Sequence, residues 1–185
     1  MKYIKYILII VIVLGIGYWL YSRNREPAVP VVGQSANQSP KPKVDNLTYN
    51  IDGDIFTLKD GNAEKESLPG SPMVDSLSLF GDTAYGDLDG DGDTDAAVWL
   101  LNDPGGTGKF HYAALVINDR GTYTPTNALF LGDRIAPQTL EIHNGQAVYN
   151  FAERKPSDPF TAEPSVGRSF YVKYDSKTGK ISEAK

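Results

Sequence analysis

Apolar residues are laid out along this chain in two different ways, and the change falls near residue 46. Between Tyr6 and Tyr21 they form one uncharged run, YILIIVIVLGIGYWLY, with Lys2 and Lys5 before it and Arg23 and Arg25 after it. Beyond residue 46 they recur as short alternating or continuous blocks between turn signals, and no sustained i, i+3, i+4, i+7 spacing is found. The first pattern predicts a membrane segment. The second predicts strands.

The apolar run is slightly shorter than the roughly 20 residues that span a bilayer, but Tyr3, Ile4 and a snorkelling Lys5 lengthen it. Tyr18, Trp19 and Tyr21 cluster at its far end, as interfacial aromatics do. We therefore divide the front of the chain into a short segment 1–5, a transmembrane signal anchor 6–22 and a linker 23–46. A cleaved signal peptide begins in the same way, but bulky residues stand where a small-x-small cleavage site belongs; a buried core helix is the third reading. Two lysines and the terminal amine outweigh two arginines offset by Glu26, which puts the N-terminus inside and the C-terminal domain outside the cytoplasm. Residues 23–46 are rich in Pro, Ser, Asn and Gln and read as an extended tether.

The remaining residues, 47–185, read as one compact antiparallel β domain, sandwich or barrel-like. Strands are expected over 47–52, 55–59, 77–85, 96–101, 110–117, 128–131, 140–143, 147–151, 169–174 and 180–183. Hairpin tips are expected at Asp52-Gly53-Asp54, Asn118-Asp119-Arg120-Gly121, His143-Asn144-Gly145-Gln146 and 175–179, and Asp60-Gly61-Asn62 closes the second strand. The block from Ala96 to Leu101 is apolar at every position, so it is expected at the centre of a sheet covered on both faces.

Charge sharpens this division. The whole chain carries −5, but residues 1–44 hold six basic residues against Glu26 alone, a net +5, which leaves −10 for the rest. An acidic domain disfavours nucleic acid and attracts cations. There is no cysteine, which excludes disulfides, thiolate metal sites, cysteine nucleophiles and a lipid-modified cysteine anchor.

Five of the negative charges sit in nine residues: Asp87, Asp89, Asp91, Asp93 and Asp95, with Gly90 and Gly92 between them. Carboxylates at every second position offer hard oxygen ligands, and the glycines permit the sharp turn that aims them inward. One structural calcium ion is the expected cofactor; magnesium, with its strict octahedral demand, suits the loop less. An EF-hand would need a glutamate at position 12, where Val98 stands. Affinity is therefore expected to be weak, of the order of 10⁻⁵ to 10⁻³ M.

Phe80-Gly81-Asp82 together with residues 86–98 resembles the calcium loop of integrin-type FG-GAP and VCBS repeats. That resemblance implies side-chain ligation by Asp87, Asp89, Asp91 and Asp95 and carbonyl ligation by Asp93. The motif occurs once, so the propeller formed by serial repeats does not carry over. Over residues 80–166 the order of this loop, Asp103-Pro104-Gly105-Gly106-Thr107-Gly108-Lys109-Phe110-His111-Tyr112, Asn127-Ala128, residues 131–138 and Arg154-Lys155-Pro156 is similar to a group of small exported bacterial proteins. The similarity implies an envelope location and passes on no activity.

Other chemistry is thinner. The stretch Gly105 to Lys109 lacks the first glycine and the Ser/Thr of a phosphate loop and reads as a hairpin loop. His111 and His143, the only histidines, make a poor zinc set, and no Gly-x-Ser-x-Gly elbow is present. Asp133, Arg134 and Arg154 read as an internal ion-pair set rather than an anion site. The expectation is a single-pass, membrane-anchored module on the outer side of the cell membrane, without catalytic residues, binding a protein or envelope polymer. A hydrolase acting on envelope polymer and a structural spacer are the alternatives.

Overall fold

A computed structural model describes residues 40–159 and 161–184. Among the described residues no helix is long and apolar enough to cross a membrane; the 6–22 segment lies outside them. The described chain is mainly β, with twelve strands: β1 (Thr48–Ile51), β2 (Asp54–Thr57), β3 (Asn62–Glu66), β4 (Val74–Gly86), β5 (Asp95–Asp103), β6 (Phe110–Asp119), β7 (Thr122–Pro125), β8 (Leu129–Asp133), β9 (Ala136–His143), β10 (Gln146–Glu153), β11 (Val166–Asp175) and β12 (Lys180–Glu183).

Every strand ladder is antiparallel, and most join sequence neighbours. One sheet runs β3-β4-β5-β6-β7, with β8 pairing the first half of β6 while β7 pairs its last residues. A second runs β12-β11-β10-β9, and β1 with β2 forms a separate hairpin. The expected tips are tight turns in which Asp52, Arg120 and Asn144 take positive φ ahead of a glycine, the geometry that matches strand twist.

β5 explains why its sequence is apolar throughout. Successive side chains point to opposite faces. Ala97 and Trp99 join Ala113 and Leu115 of β6 against Tyr149, Phe151, Phe170 and Val172 of the four-stranded sheet. Ala96, Val98 and Leu100 join Tyr112, Ala114 and Val116 beneath Tyr49, Ile51, Phe56 and Leu58 of the β1-β2 region. The central sheet is thus covered on both faces, as the continuous apolar run implies. Fully burying residues such as Tyr149 and Phe151 stabilises by about 1.5–3 kcal/mol each. The Tyr149 hydroxyl also lies 3.0 Å from the carbonyl oxygens of both Val98 and Ala114, so its polar tip is satisfied inside the core. Val44, within the 23–46 stretch, is buried in the second cluster and accepts a 2.9 Å hydrogen bond from the Tyr49 hydroxyl.

Two strands are not among those expected from the sequence. β3 (Asn62-Ala63-Glu64-Lys65-Glu66) and β7 (Thr122-Tyr123-Thr124-Pro125) are the two outer strands of the central sheet path. Edge strands carry charge, and proline is tolerated there, which blunts unwanted pairing and removes the apolar alternation that would reveal them.

Candidate metal centre

The Asp-rich segment links β4 to β5, and two anchors set its shape. Leu88 points into the core and is 5% exposed. Asp95, the first residue of β5, is fully buried; its two oxygens accept hydrogen bonds from the backbone N–H of Leu88 (2.7 Å) and of Asn118 (2.8 Å). Between the anchors the carboxylates organise their own backbone. Asp87 accepts from the N–H groups of Gly90 (2.7 Å) and Gly92 (3.1 Å), Asp89 from Asp91 (3.1 Å), and Asp91 from Asp93 (2.7 Å). Gly90 and Gly92 hold φ of 85° and 90°, a region that a side chain would strain.

The outcome is convergence of three acids from two anchored turns. One oxygen from each of Asp87, Asp89 and Asp95 lies within 4.8 Å of the others. Two ligands of one cation can be no farther apart than twice the metal–oxygen distance, so these three acids could hold a metal ion. Asp91 and Asp93 lie outside this group of three. Asp93 instead accepts a 3.0 Å hydrogen bond from the backbone N–H of Arg120 in the β6-β7 turn.

Electrostatics mark the same place. Burial, and after it the negative charge of neighbouring aspartates, hold Asp89 and Asp95 above the ordinary carboxylate range, although backbone N–H groups pull the other way. Among the described residues none of the five loop aspartates has an ion-pair partner within 4.0 Å. A bound divalent cation would supply the missing positive charge.

Asn118 belongs to this centre and was read from the sequence only as part of a hairpin tip. It is fully buried, donates its side-chain amide to the Thr94 carbonyl at 3.2 Å and accepts from Gly121 N–H at 2.8 Å. The loop is thereby fastened to the β6-β7 turn as well as to β5.

The remaining candidates are structural where they can be placed. The Gly105–Lys109 stretch joins antiparallel β5 and β6, and Lys109 pairs with Asp103 across it. Arg134 pairs with Asp133 at 2.6 Å, and Arg154 donates to the Ala162 and Asp133 carbonyls. His143 contacts Glu141 at 2.7 Å on an exposed face, while His111 is buried against Phe80 and Trp99. The two histidines enter no metal-capable cluster among the described residues. Comparison with protein-family models, with curated proteins and with solved structures returns no match.

Proposed function

We propose that this chain is a single-pass, membrane-anchored extracytoplasmic β module that holds one structural calcium ion and serves as a binding unit of the cell envelope. The observation that carries the metal reading is the convergence of Asp87, Asp89 and Asp95 within 4.8 Å at the entrance to the central strand. An all-oxygen, uncompensated acidic site favours a hard cation, and the loop's likeness to FG-GAP loops adds Asp91 and the Asp93 carbonyl to the ligand set. Because Asp95 is itself a buried strand residue, an ion here would tie loop, β5 and the β6-β7 turn together. That supports a structural rather than a catalytic role.

Membrane attachment and the outward orientation rest on the 6–22 apolar run and its flanking charges. Isothermal calorimetry on the full chain tests the metal. Calcium should bind once with a Kd of the order of 10⁻⁵ to 10⁻³ M and more tightly than magnesium. Absence of binding heat, or unchanged binding in Asp87→Asn with Asp89→Asn, overturns the assignment. Protease digestion of a C-terminal tag on cells with an intact inner membrane tests the topology, and a protected tag refutes it.

A further inference from the structure

Away from the acidic loop, a cavity of about 390 Å³ opens between β4 and β9, within the size range of small-ligand pockets. Both of its walls are interrupted strands. The β4-β5 ladder breaks between Phe80 and Ala84, where Gly81 has a φ of 65°, and the β9-β10 ladder slips between Asn150 and Phe151, leaving Gln138 as the extra residue. Bulges of this kind re-aim side chains at the cost of ladder hydrogen bonds.

The cavity meets Trp99, which is 3% exposed and fixed edge-on to the rings of Tyr149 (4.9 Å), Phe151 (6.1 Å) and His111 (6.3 Å). Phe80 beside it stays 39% exposed, with its ring edge-on to His111 at 5.3 Å. Asp82 and Glu141 line the same cavity, and no lysine or arginine does. Burial brings His111 down to about 4, so the ring behind Phe80 adds no positive charge at neutral pH.

Elsewhere the molecule sets an ammonium group of its own among carboxylates and a ring. Beside β2, the Lys65 ammonium lies 2.7 Å from Asp54 and 3.9 Å from Asp75, and 4.2 Å from the centroid of Phe56. The β4-β9 cavity offers two carboxylates and aromatic rings with no lysine or arginine in its lining, and Glu141 lies 2.7 Å from His143 Nε2. A larger cavity of about 490 Å³ lined by Thr48, Asn127 and Lys180 has no aromatic side chain and no such bias.

We propose that the β4-β9 cavity binds a small organic ammonium ligand, its apolar body against Phe80 and Trp99 and its charge neutralised by Asp82 and Glu141. This gives the binding-module reading a ligand class and rests on that reading, not on the metal.

The test is an NMR titration of the full chain in maltoside micelles with choline, and with its neutral isostere 3,3-dimethylbutanol. Choline should shift the Trp99 indole N–H saturably with a Kd of about 1 mM, and the alcohol should bind at least about tenfold more weakly. Asp82→Asn with Glu141→Gln, and separately Phe80→Ala, should each weaken choline at least about tenfold. The calcium-dependent melting shift, read on the same samples, reports fold and metal centre independently. Three results overturn the proposal: no saturable shift, equal binding of the neutral alcohol, or undiminished choline binding in both variants while the melting shift is intact.

Discussion

The two ends of β5 carry glycine-rich loops that both begin or end on aspartate, yet they treat charge in opposite ways. After the strand, Asp103 is answered within its own loop: Lys109 pairs with it, and Gly105 N–H donates to it at 3.1 Å. Gly105 is required there because a Cβ would lie 2.6 Å from the Met73 side chain and 2.8 Å from the Val74 carbonyl oxygen. The loop is closed by packing and a local ion pair. Before the strand, each of the five aspartates accepts from backbone N–H groups, and none has an ion-pair partner within 4.0 Å among the described residues. Even Arg120, whose N–H bonds to Asp93, turns its guanidinium to Asp119 at 2.8 Å. Backbone hydrogen bonds fix where carboxylates point but supply only partial positive charge. The first loop therefore retains a repulsion that a cation can relieve, and the second does not. What separates the two loops is an ion-pair partner: Asp103 has one in Lys109, and the five aspartates before the strand have none within 4.0 Å among the described residues.

The largest expected effect breaks the first loop outright. Asp95→Ala would leave the N–H groups of Leu88 and Asn118 without their acceptor and should cost about 4 kcal/mol in urea unfolding, in EDTA as well as in calcium. A loss seen only in calcium would show that Asp95 is a ligand and not a strut.

Calcium itself should raise stability by about 2.7 kcal/mol at a hundredfold excess over Kd, or roughly 5–11 °C in melting temperature. Asp87→Asn with Asp89→Asn should erase that increment while leaving the EDTA value equal or higher, because both carboxylates contribute to the repulsion.

The ends should also differ in their response to acid. The folded pKa of His111, near the second loop, is about 4, below the unfolded value of about 6.5. The unfolded chain therefore takes up the proton more readily, and stability should fall by about 3 kcal/mol as pH drops from about 7 to about 3, most of it between 6.5 and 4. His111→Leu should flatten that window, and with one His111 nitrogen lacking a hydrogen-bond partner it should not destabilise at pH 7. Asp89 and Asp95 respond with the opposite sign. Their folded pKa values are raised, so in EDTA their destabilising repulsion is relieved as pH falls through them. Chemical unfolding across pH 3.5–7, with and without the substitution, separates the two contributions.

The smallest effect belongs to the second loop. Asp103→Asn breaks a half-exposed ion pair and should cost less than about 1 kcal/mol, with the calcium increment unchanged.

How much was legible in advance follows the strength of the local signal. The doubly covered β5 could be read from Ala96 to Leu101, because only burial on both faces accounts for an apolar residue at every position. The tips at Asp52-Gly53 and Asn144-Gly145 were legible because few residues tolerate positive φ. Edge strands β3 and β7 were not, since what keeps them from aggregating is the polarity that hides them. In the candidate metal centre, all five aspartates stood out by spacing. Which of them converge did not, because that depends on Leu88 reaching the core and on Asn118 arriving from β6, 23 residues after Asp95.

By itself, then, the sequence determined an uncharged apolar run near the N-terminus, an acidic domain of antiparallel strands and an Asp-rich loop at the entrance to its central strand. These follow from periodicity, turn chemistry and charge, all of which act over a few neighbouring residues. Only the tertiary structure decided that Asp95 is buried, that Asp87 and Asp89 join it, and that Asp82 and Glu141 share a cavity with Phe80 and Trp99. The cavity unites β4 and β9, far apart in the chain, and Asp95 is fixed by Leu88 and by Asn118 of β6, so sheet packing rather than local pattern decides both.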